Sequence, residues 1–378
     1  MLRVMECFDG IGACSKALER LGIDYEIADY VEIDKYAVKS FNAMHNTNFE
    51  PQDITTWDKD IEVDLIMHGS PCQDFSLAGL QAGGDEGSGT RSSLMYETIR
   101  IVKKLKPKYV IWENVKNLLS KKHRHNFDSY LEIMESLGYQ NYYQVLNAKD
   151  YGIPQNRERV FTISIRNDIE KQFIFPEKQE LKLKLKDMLE NEVDEKYYLS
   201  DKMQNYVLAT NEDGTDNKFA NRVNECKMNK TPSYAITVRG AGGQQRGSLS
   251  NFVVGDGTEE TTIKEVKLKI KNATKQGYQE ATDGDGIDLS MPNSETRRGR
   301  VQKQSIQTLT TQNNLGVVSD LRIRKLTPKE CWRLMGFNDE DFDKASKVNS
   351  NSQLYKQAGN SIVVNVLENI LKNLLKEN

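Results

Sequence analysis

The stretch "LRVMECFDGIGACSKALERLG" (Leu2 to Gly22) decides the fold. Leu2 to Phe8 reads as a short apolar strand, Asp9 to Gly12 ("DGIG") as a glycine-containing turn, and Ala13, Ala17, Leu18 and Leu21 recur at helical spacing. The same change of period repeats along the chain. "YEIADYVEI" is a strand and "DKYAVKSFNAMH" a helix. "VDLIMHGS" is a strand, "SSLMYETIRIVKKL" a helix, "KYVIWEN" a strand, and "FDSYLEIMESLG" a helix that stops at a glycine. "YQVLNA" and "RVFTISI" complete the set. This alternation, up to about Asn167, predicts an α/β fold with a doubly wound, mostly parallel sheet. Ligands of such sheets sit at the carboxyl ends of the strands, near the topological switch point.

The chain has 378 residues, which suits two compact units better than one. Hydrophobic content is 38% and charged content 28%, an ordinary globular balance. No run of about 18 apolar residues offers a membrane span, and the N-terminus lacks the apolar core of a signal peptide. Five cysteines, none at C-x-x-C spacing, argue against a disulfide framework or a zinc site. No metal is expected, and a reducing, cytoplasmic setting is the default. A net charge of -3 means that nucleic-acid binding would need a local basic face.

The texture changes past Asn167. A Lys/Glu-rich stretch (Glu177 to Lys196) gives way to short strand-like pieces, glycines and polar loops up to about Val318. This predicts a second, smaller, loop-rich β domain over residues 171–320, between a first domain (1–170) and a C-terminal segment (321–378) that returns to it. Two pieces inside it, starting at Ser233 and Ser305, share an apolar-Thr-apolar core and paired valines, and are read as two similar hairpins. "TPKECWRLMGF" opens with Thr327 and Glu330 at capping-box spacing. Ile362, Val363, Val366, Leu367, Ile370, Leu371 and Leu374 fall on one helical face, for which the N-terminal sheet is the obvious partner.

Three constellations carry chemistry. The turn Phe8-Asp9-Gly10-Ile11-Gly12 lets a ligand approach the backbone, Glu32 ends the second strand where an acid binds ribose hydroxyls, and Asp53-Ile54 is expected at the next strand end. A tight turn without a ligand explains the glycines equally well. Cys72 follows Pro71 at the end of a strand; it is core filler, metal ligand or nucleophile. Its polar neighbours weaken the first reading and the lack of companion ligands the second. Glu113 ends an apolar strand, where burial would keep it protonated, unless it simply faces solvent. Arg157 and Arg159 alternate at period two and so face one way, fit to hold a planar polar group or a phosphate, or merely solvated.

Together with "EIDKYA", "DIT", "GSPCQDFS", "WENV", "GIPQNRERVF", "RKLTPKECWRLMGF" and "QAGNSIVVNVLENI", in that order, these elements make the chain resemble the DNA cytosine-5 methyltransferase family, especially its small restriction-modification members. The resemblance spans nearly the whole chain outside the variable middle. It implies the class I S-adenosylmethionine-dependent methyltransferase fold and transfer of a methyl group from S-adenosyl-L-methionine to C5 of a flipped cytosine, leaving S-adenosyl-L-homocysteine. By the same resemblance Cys72 attacks C6, Glu113 acts at N3, and Arg159, supported by Arg157, contacts O2. Phe8, Gly10, Ile11 and Gly12 form the cofactor turn, Glu32 takes the ribose, Asp53 and Ile54 the adenine, and Pro71, Leu94, Asn360 and Ser361 line the pocket. Ala13 stands where relatives usually carry another glycine, and Ile33 where an aromatic is common.

The glycine-rich Leu77 to Ser93 fits the family's mobile active-site loop, with Ser76 and Arg91 as phosphate contacts. The middle region becomes the target-recognition domain, with Arg239, Arg297, Arg298 and Arg300 as DNA contacts, and Thr308-Leu309 matching the family's Thr-Leu pair better than Thr237-Val238. Double-stranded DNA is the implied partner and a monomer the expected state; a cognate restriction endonuclease, if there is one, acts separately. A tRNA cytosine-5 methyltransferase is the main alternative, against which the long middle domain argues. A catalytically dead DNA-binding member and a nicotinamide enzyme on the same sheet are weaker alternatives.

Overall fold

The computed structural model describes residues 1–71, 91–208, 251–252, 264–265, 267–292, 294, 296–319 and 322–376. Contacts divide the chain into two compact units, Met1–Leu183 with Thr310–Gln312 and Cys331–Asn378, and Lys184–Leu309 with Asn313–Glu330.

The first unit is built on a six-stranded sheet of order β2-β1-β3-β4-β7-β5. Its strands are β1 (Leu2–Cys7), β2 (Tyr25–Val31), β3 (Leu65–His68), β4 (Tyr109–Val115), β5 (Tyr139–Asn147) and, after a two-residue β6 (Gln155–Asn156), β7 (Glu158–Arg166). β1 pairs in parallel with β2 on one side and β3 on the other, and β3 in parallel with β4. β7 is the antiparallel member, inserted between β4 and β5. Chain direction out of β1 therefore splits toward β2 and β3, which places the crevice at the carboxyl ends of β1 and β3. The central strands are covered on both faces, as β3 shows with all four residues buried.

The helices are α1 (Ala13–Arg20), α2 (Lys35–His45), α3 (Met95–Leu105) and α4 (Arg124–Ser136), with α7 (Asp339–Ser346), α8 (Asn351–Asn360) and α9 (Val364–Leu375) near the C-terminus. Asp34 caps α2 by accepting from the Tyr36 amide at 3.0 Å. The apolar side of α9 is buried, but its neighbour is α1 rather than a bare sheet, and Arg20 pairs with Glu368 at 2.8 Å. Ile362 and Val363 lie before this helix, because Val363 is extended (φ -74°, ψ 115°).

The second unit holds α5 (Asp201–Val207) and short strands β8 (Asn251–Phe252), β9 (Lys264–Glu265), β10 (Leu268–Lys271), β11 (Tyr278–Ala281), β12 (Gly286–Asp288), β13 (Val301–Gln302), β14 (Ile306–Gln307), β15 (Leu315–Ser319) and β16 (Arg322–Lys325). Its main sheet runs β13-β12-β15-β16. The segment from Ser305 is not a hairpin on itself: β15 pairs with β12 and β16, not with β14. Most of its echo from Ser233 lies outside the described residues. Helix α6 (Pro328–Arg333) begins with the expected capping box, the Thr327 amide donating to Glu330 at 2.8 Å and the Glu330 amide to Thr327 Oγ1 at 3.2 Å. Arg324 also donates to both carboxylate oxygens of Glu330, at 2.7 and 2.8 Å, and all of this is buried.

Candidate active site

The turn after β1 is strained where a ligand would need room. Phe8, Gly10 and Gly12 all have positive φ (55°, 64° and 81°). A side chain at Gly12 would strike Phe41 at 2.6 Å, whereas one at Gly10 would meet nothing within 4 Å. Gly12 thus serves the fold, and Gly10 leaves an open face. The Tyr30 hydroxyl donates to the Gly10 carbonyl from beneath. Helix α1 has no cap at Gly12; instead Asp9 accepts from the Cys14 amide at 3.0 Å and Glu6 from the Ser15 amide at 3.1 Å, and both acids are buried. Burial, with Glu6 alongside, drives the Asp9 pKa well up.

This arrangement discriminates between cofactors. The amides that would bind a pyrophosphate at a dinucleotide site are already taken by protein carboxyls, which disfavours the nicotinamide alternative. An open turn whose helix amides are so engaged suits a ligand that brings no phosphate to it. Glu32, directly after β2, accepts from the Asp34 amide at 2.9 Å, and burial pushes its carboxyl up. Ile33 beside it is 66% exposed, a large apolar side chain with no cover in the chain itself. Asp53-Ile54 is not at a strand end as expected: Asp53 caps a 3-10 turn (Ile54–Thr56) between α2 and β3. That turn still reaches the rim, because the Gln52 amide donates to the Glu32 carbonyl at 2.9 Å and its side chain to the Tyr30 carbonyl at 2.7 Å. Leu94 and Phe8 are half-buried against the same apolar core.

The next strand end carries Gly69, Ser70 and Pro71. A Cβ on Gly69 would lie 3.3 Å from the Phe8 carbonyl and 3.7 Å from Glu113 Oε2, so the cofactor turn and the β4 acid are immediate neighbours. Trp112 Nε1 donates to Ser70 Oγ at 2.9 Å, and Asn114 Nδ2 to the Ser70 carbonyl at 3.3 Å. These bonds fix the chain just before Cys72, which lies outside the described residues, as do Ser76 and most of the Leu77 to Ser93 loop. Beneath them His68 stacks on Trp112 at 5.8 Å, and burial drives its pKa down to about 3, so it stays neutral. The sequence gives no signal for it, because a histidine ending a strand carries no distinguishing pattern.

Glu113 is paired with Arg159, Nε to Oε1, at 3.0 Å. The β4–β7 register explains the meeting: Val115 faces Arg159, and Glu113 is two residues away on the same face. Burial pushes the Glu113 pKa up, while Arg159 and Arg157 pull against it; the net direction is upward. Arg157 lines the same cavity as Arg159, but its guanidinium is turned to the backbone. It is buried, and its Nη2 donates to the carbonyls of Gly359 (3.1 Å) and Ser361 (2.8 Å), tying down the turn that carries exposed Asn360 and buried Ser361.

The DNA-facing residues expected in the second unit are less uniform. Arg297 is bonded to Asp288 at 2.9 Å, and Arg298 is exposed, with Nε on the Ala273 carbonyl at 3.0 Å. Arg300 is fully buried and holds the carbonyls of Met291 and Ser294, so in this conformation it does not reach the surface. Thr308 is half-buried. Arg239 and Thr237 lie outside the described residues, and Arg91 is described in its backbone alone.

Comparison with known proteins fits this rim. Residues 2–376 match the model of the C-5 cytosine-specific DNA methylase family. The orphan methyltransferase M.SPRI of Bacillus phage SPR is 35% identical, over 99% of this chain and 97% of its own. The type II methyltransferase M2.ScrFI of Lactococcus lactis is 33% identical, over 100% and 99%, and M.HhaI of Haemophilus parahaemolyticus 32%, over 99% and 94%. Among solved structures, the S. pombe Dnmt2 methyltransferase shares the fold at a TM-score of 0.59, with 18% identity over 99% of this chain and 98% of that one. The chain belongs to the C-5 cytosine-specific DNA methylase family and is a DNA (cytosine-5) methyltransferase.

Proposed function

We propose that this chain methylates cytosine in duplex DNA with Cys72 as nucleophile, Glu113 and Arg159 as base-holding groups, and S-adenosyl-L-methionine as donor. The observation that carries the assignment is the buried Glu113–Arg159 pair beside the Ser70-Pro71 strand end that leads into Cys72. The Cys72 thiolate adds to C6 of the flipped cytosine, and the electron pair moves onto C5. Glu113, favoured in its protonated form by burial, donates to N3 and drains the ring as the thiolate attacks. Arg159 donates to O2 and holds the ring in place. When bound, S-adenosyl-L-methionine supplies an electrophilic methyl group to C5. Loss of the C5 proton then expels Cys72 and restores the aromatic ring.

The cofactor would lie on the open face of Gly10, its ribose hydroxyls on Glu32, its adenine between Ile33 and the Asp53-Ile54 turn, with Pro71, Leu94, Asn360 and Ser361 closing the pocket. The unit Lys184–Leu309 with Asn313–Glu330 is the target-recognition domain in this reading. The chain acts as a monomer, within a restriction-modification system or as phage self-protection. Duplex DNA carrying 5-fluorocytosine is expected to trap a covalent adduct that needs S-adenosyl-L-methionine and disappears in Cys72→Ala. An adduct persisting in that variant removes Cys72 from its role, and methyl transfer to tRNA alone reverses the choice of substrate.

A further inference from the structure

Beyond Glu113 the chain turns basic. From Asn114 to Phe127 it carries Lys116, Lys121, Lys122, Arg124, His123 and His125, and no carboxylate. Topology puts this run on the active-site rim. β4 ends at Val115, a 3-10 turn covers Lys116–Leu119, and α4 starts at Arg124 to run back toward the edge where β5 begins. The turn is fixed by the amides of His123 and Arg124, which donate to the Ser120 carbonyl at 3.0 and 2.9 Å. Just past it, fully buried Phe127 packs on Trp112 at 5.9 Å. The lysines thus stand on anchored backbone.

Some of this charge is answered within the fold. Lys116 pairs with Glu158 at 3.0 Å and Arg124 with Asp128 at 2.7 Å. Lys121 and Lys122 are exposed and form no ion pair among the described residues. Lys149 is in the same position on the 3-10 turn that follows β5, beyond Arg159 on the same rim. Helix α4 also opens against its dipole, with Arg124 and His125 in its first turn, no acid there and no side-chain cap. Exposed lysines without an ion pair among the described residues, on backbone held this firmly, point to an anion from outside.

We infer that Lys121 and Lys122, with Lys149, form a phosphate-contacting rim that holds duplex DNA by its backbone beside the flipped base. This rests on the DNA reading of the site. Flexible lysine ammoniums suit phosphates rather than base edges, so the contact is blind to sequence. A chain of net charge -3 needs such a local field to approach a polyanion.

The test is the full-length double variant Lys121→Ala/Lys122→Ala, with Lys103→Ala/Lys372→Ala, both exposed lysines near the opposite edge, as the equal-charge control. Binding to duplexes of arbitrary and of methylatable sequence is measured across a salt series. Each lost phosphate contact lowers the salt slope by about 0.9, so the slope is expected to fall by about 2 and affinity by about tenfold at low salt, on both duplexes. The control, kcat at saturating DNA and KM for S-adenosyl-L-methionine are expected to stay unchanged. A wild-type salt slope, an equal loss in the control, or a loss confined to tRNA overturns the inference. Wild-type protein that fails to methylate any duplex overturns the DNA reading as well, so the two failures are told apart.

Discussion

The two sides of the rim carry residues of opposite type. Around β1 and β2 the groups are acids: Glu6, Asp9, Glu32 and Asp34. Around β4, β7 and β5 most are cations: Arg157, Arg159, Lys121, Lys122 and Lys149, with Glu113 buried among them and Glu158 paired with Lys116. A net charge of -3 averages these fields away. The basic side suits a polyanion, and the two sides meet at Gly69, where the cofactor turn and Glu113 are neighbours.

Breaking the cationic side at its buried acid should have the largest effect. Glu113→Gln keeps shape and a donor but cannot give up a proton as an acid does, and kcat is expected to fall roughly 10²–10⁴-fold while KM for the cofactor holds. Single-turnover methylation checks it; near-normal kcat would reassign the N3 role. On the acidic side, Gly12→Ala sets a side chain at φ 81° and against Phe41. A loss of about 1–3 kcal/mol in unfolding free energy is expected, with weaker cofactor binding, readable by denaturant titration.

The acidic side can also be probed by pH. The Asp9 pKa is raised in the fold, so the native state holds this proton after the unfolded chain has released it. Stability from this group is complete below the ordinary aspartate range and is lost as pH climbs from there toward the folded value. Asp9→Asn removes that slope. Its melting temperature relative to wild type should rise with pH across the window; a constant offset would show that the fold does not hold the Asp9 proton.

Much of this contrast was legible in the sequence. The alternation of strand and helix periods places the strand ends, and the ends hold Phe8 to Gly12, Glu32, Pro71 and Glu113. Legibility fails where register and long-range hydrogen bonds decide. Arg157 and Arg159 share a sequence face, yet only Arg159 meets Glu113, because Arg157 is drawn to the Gly359 and Ser361 carbonyls some 200 residues on. Asp53 reads as a strand end, but an aspartate with a following Thr amide makes a local cap, and Gln52 brings it to the rim. In the second unit the strands are two to five residues long, too short for a period to specify their partners, and Arg300 goes inside where sequence put it at the surface.

The mildest test separates binding from folding on the acidic side. Ile33 is 66% exposed, so the fold gains little from it, and Ile33→Ser should leave the melting temperature within about 1 °C, since surface changes away from special features stay within about 0.5 kcal/mol. If adenine covers this side chain, the lost apolar contact of about 1 kcal/mol raises KM for S-adenosyl-L-methionine about fivefold. Because the contact is made equally before and during methyl transfer, kcat should not move. An aromatic at the same position, Ile33→Trp, should lower KM by extending the stacking surface. If neither variant shifts KM, the exposed isoleucine lies off the cofactor's path, and the acids Glu32 and Asp53 alone would define that side of the rim.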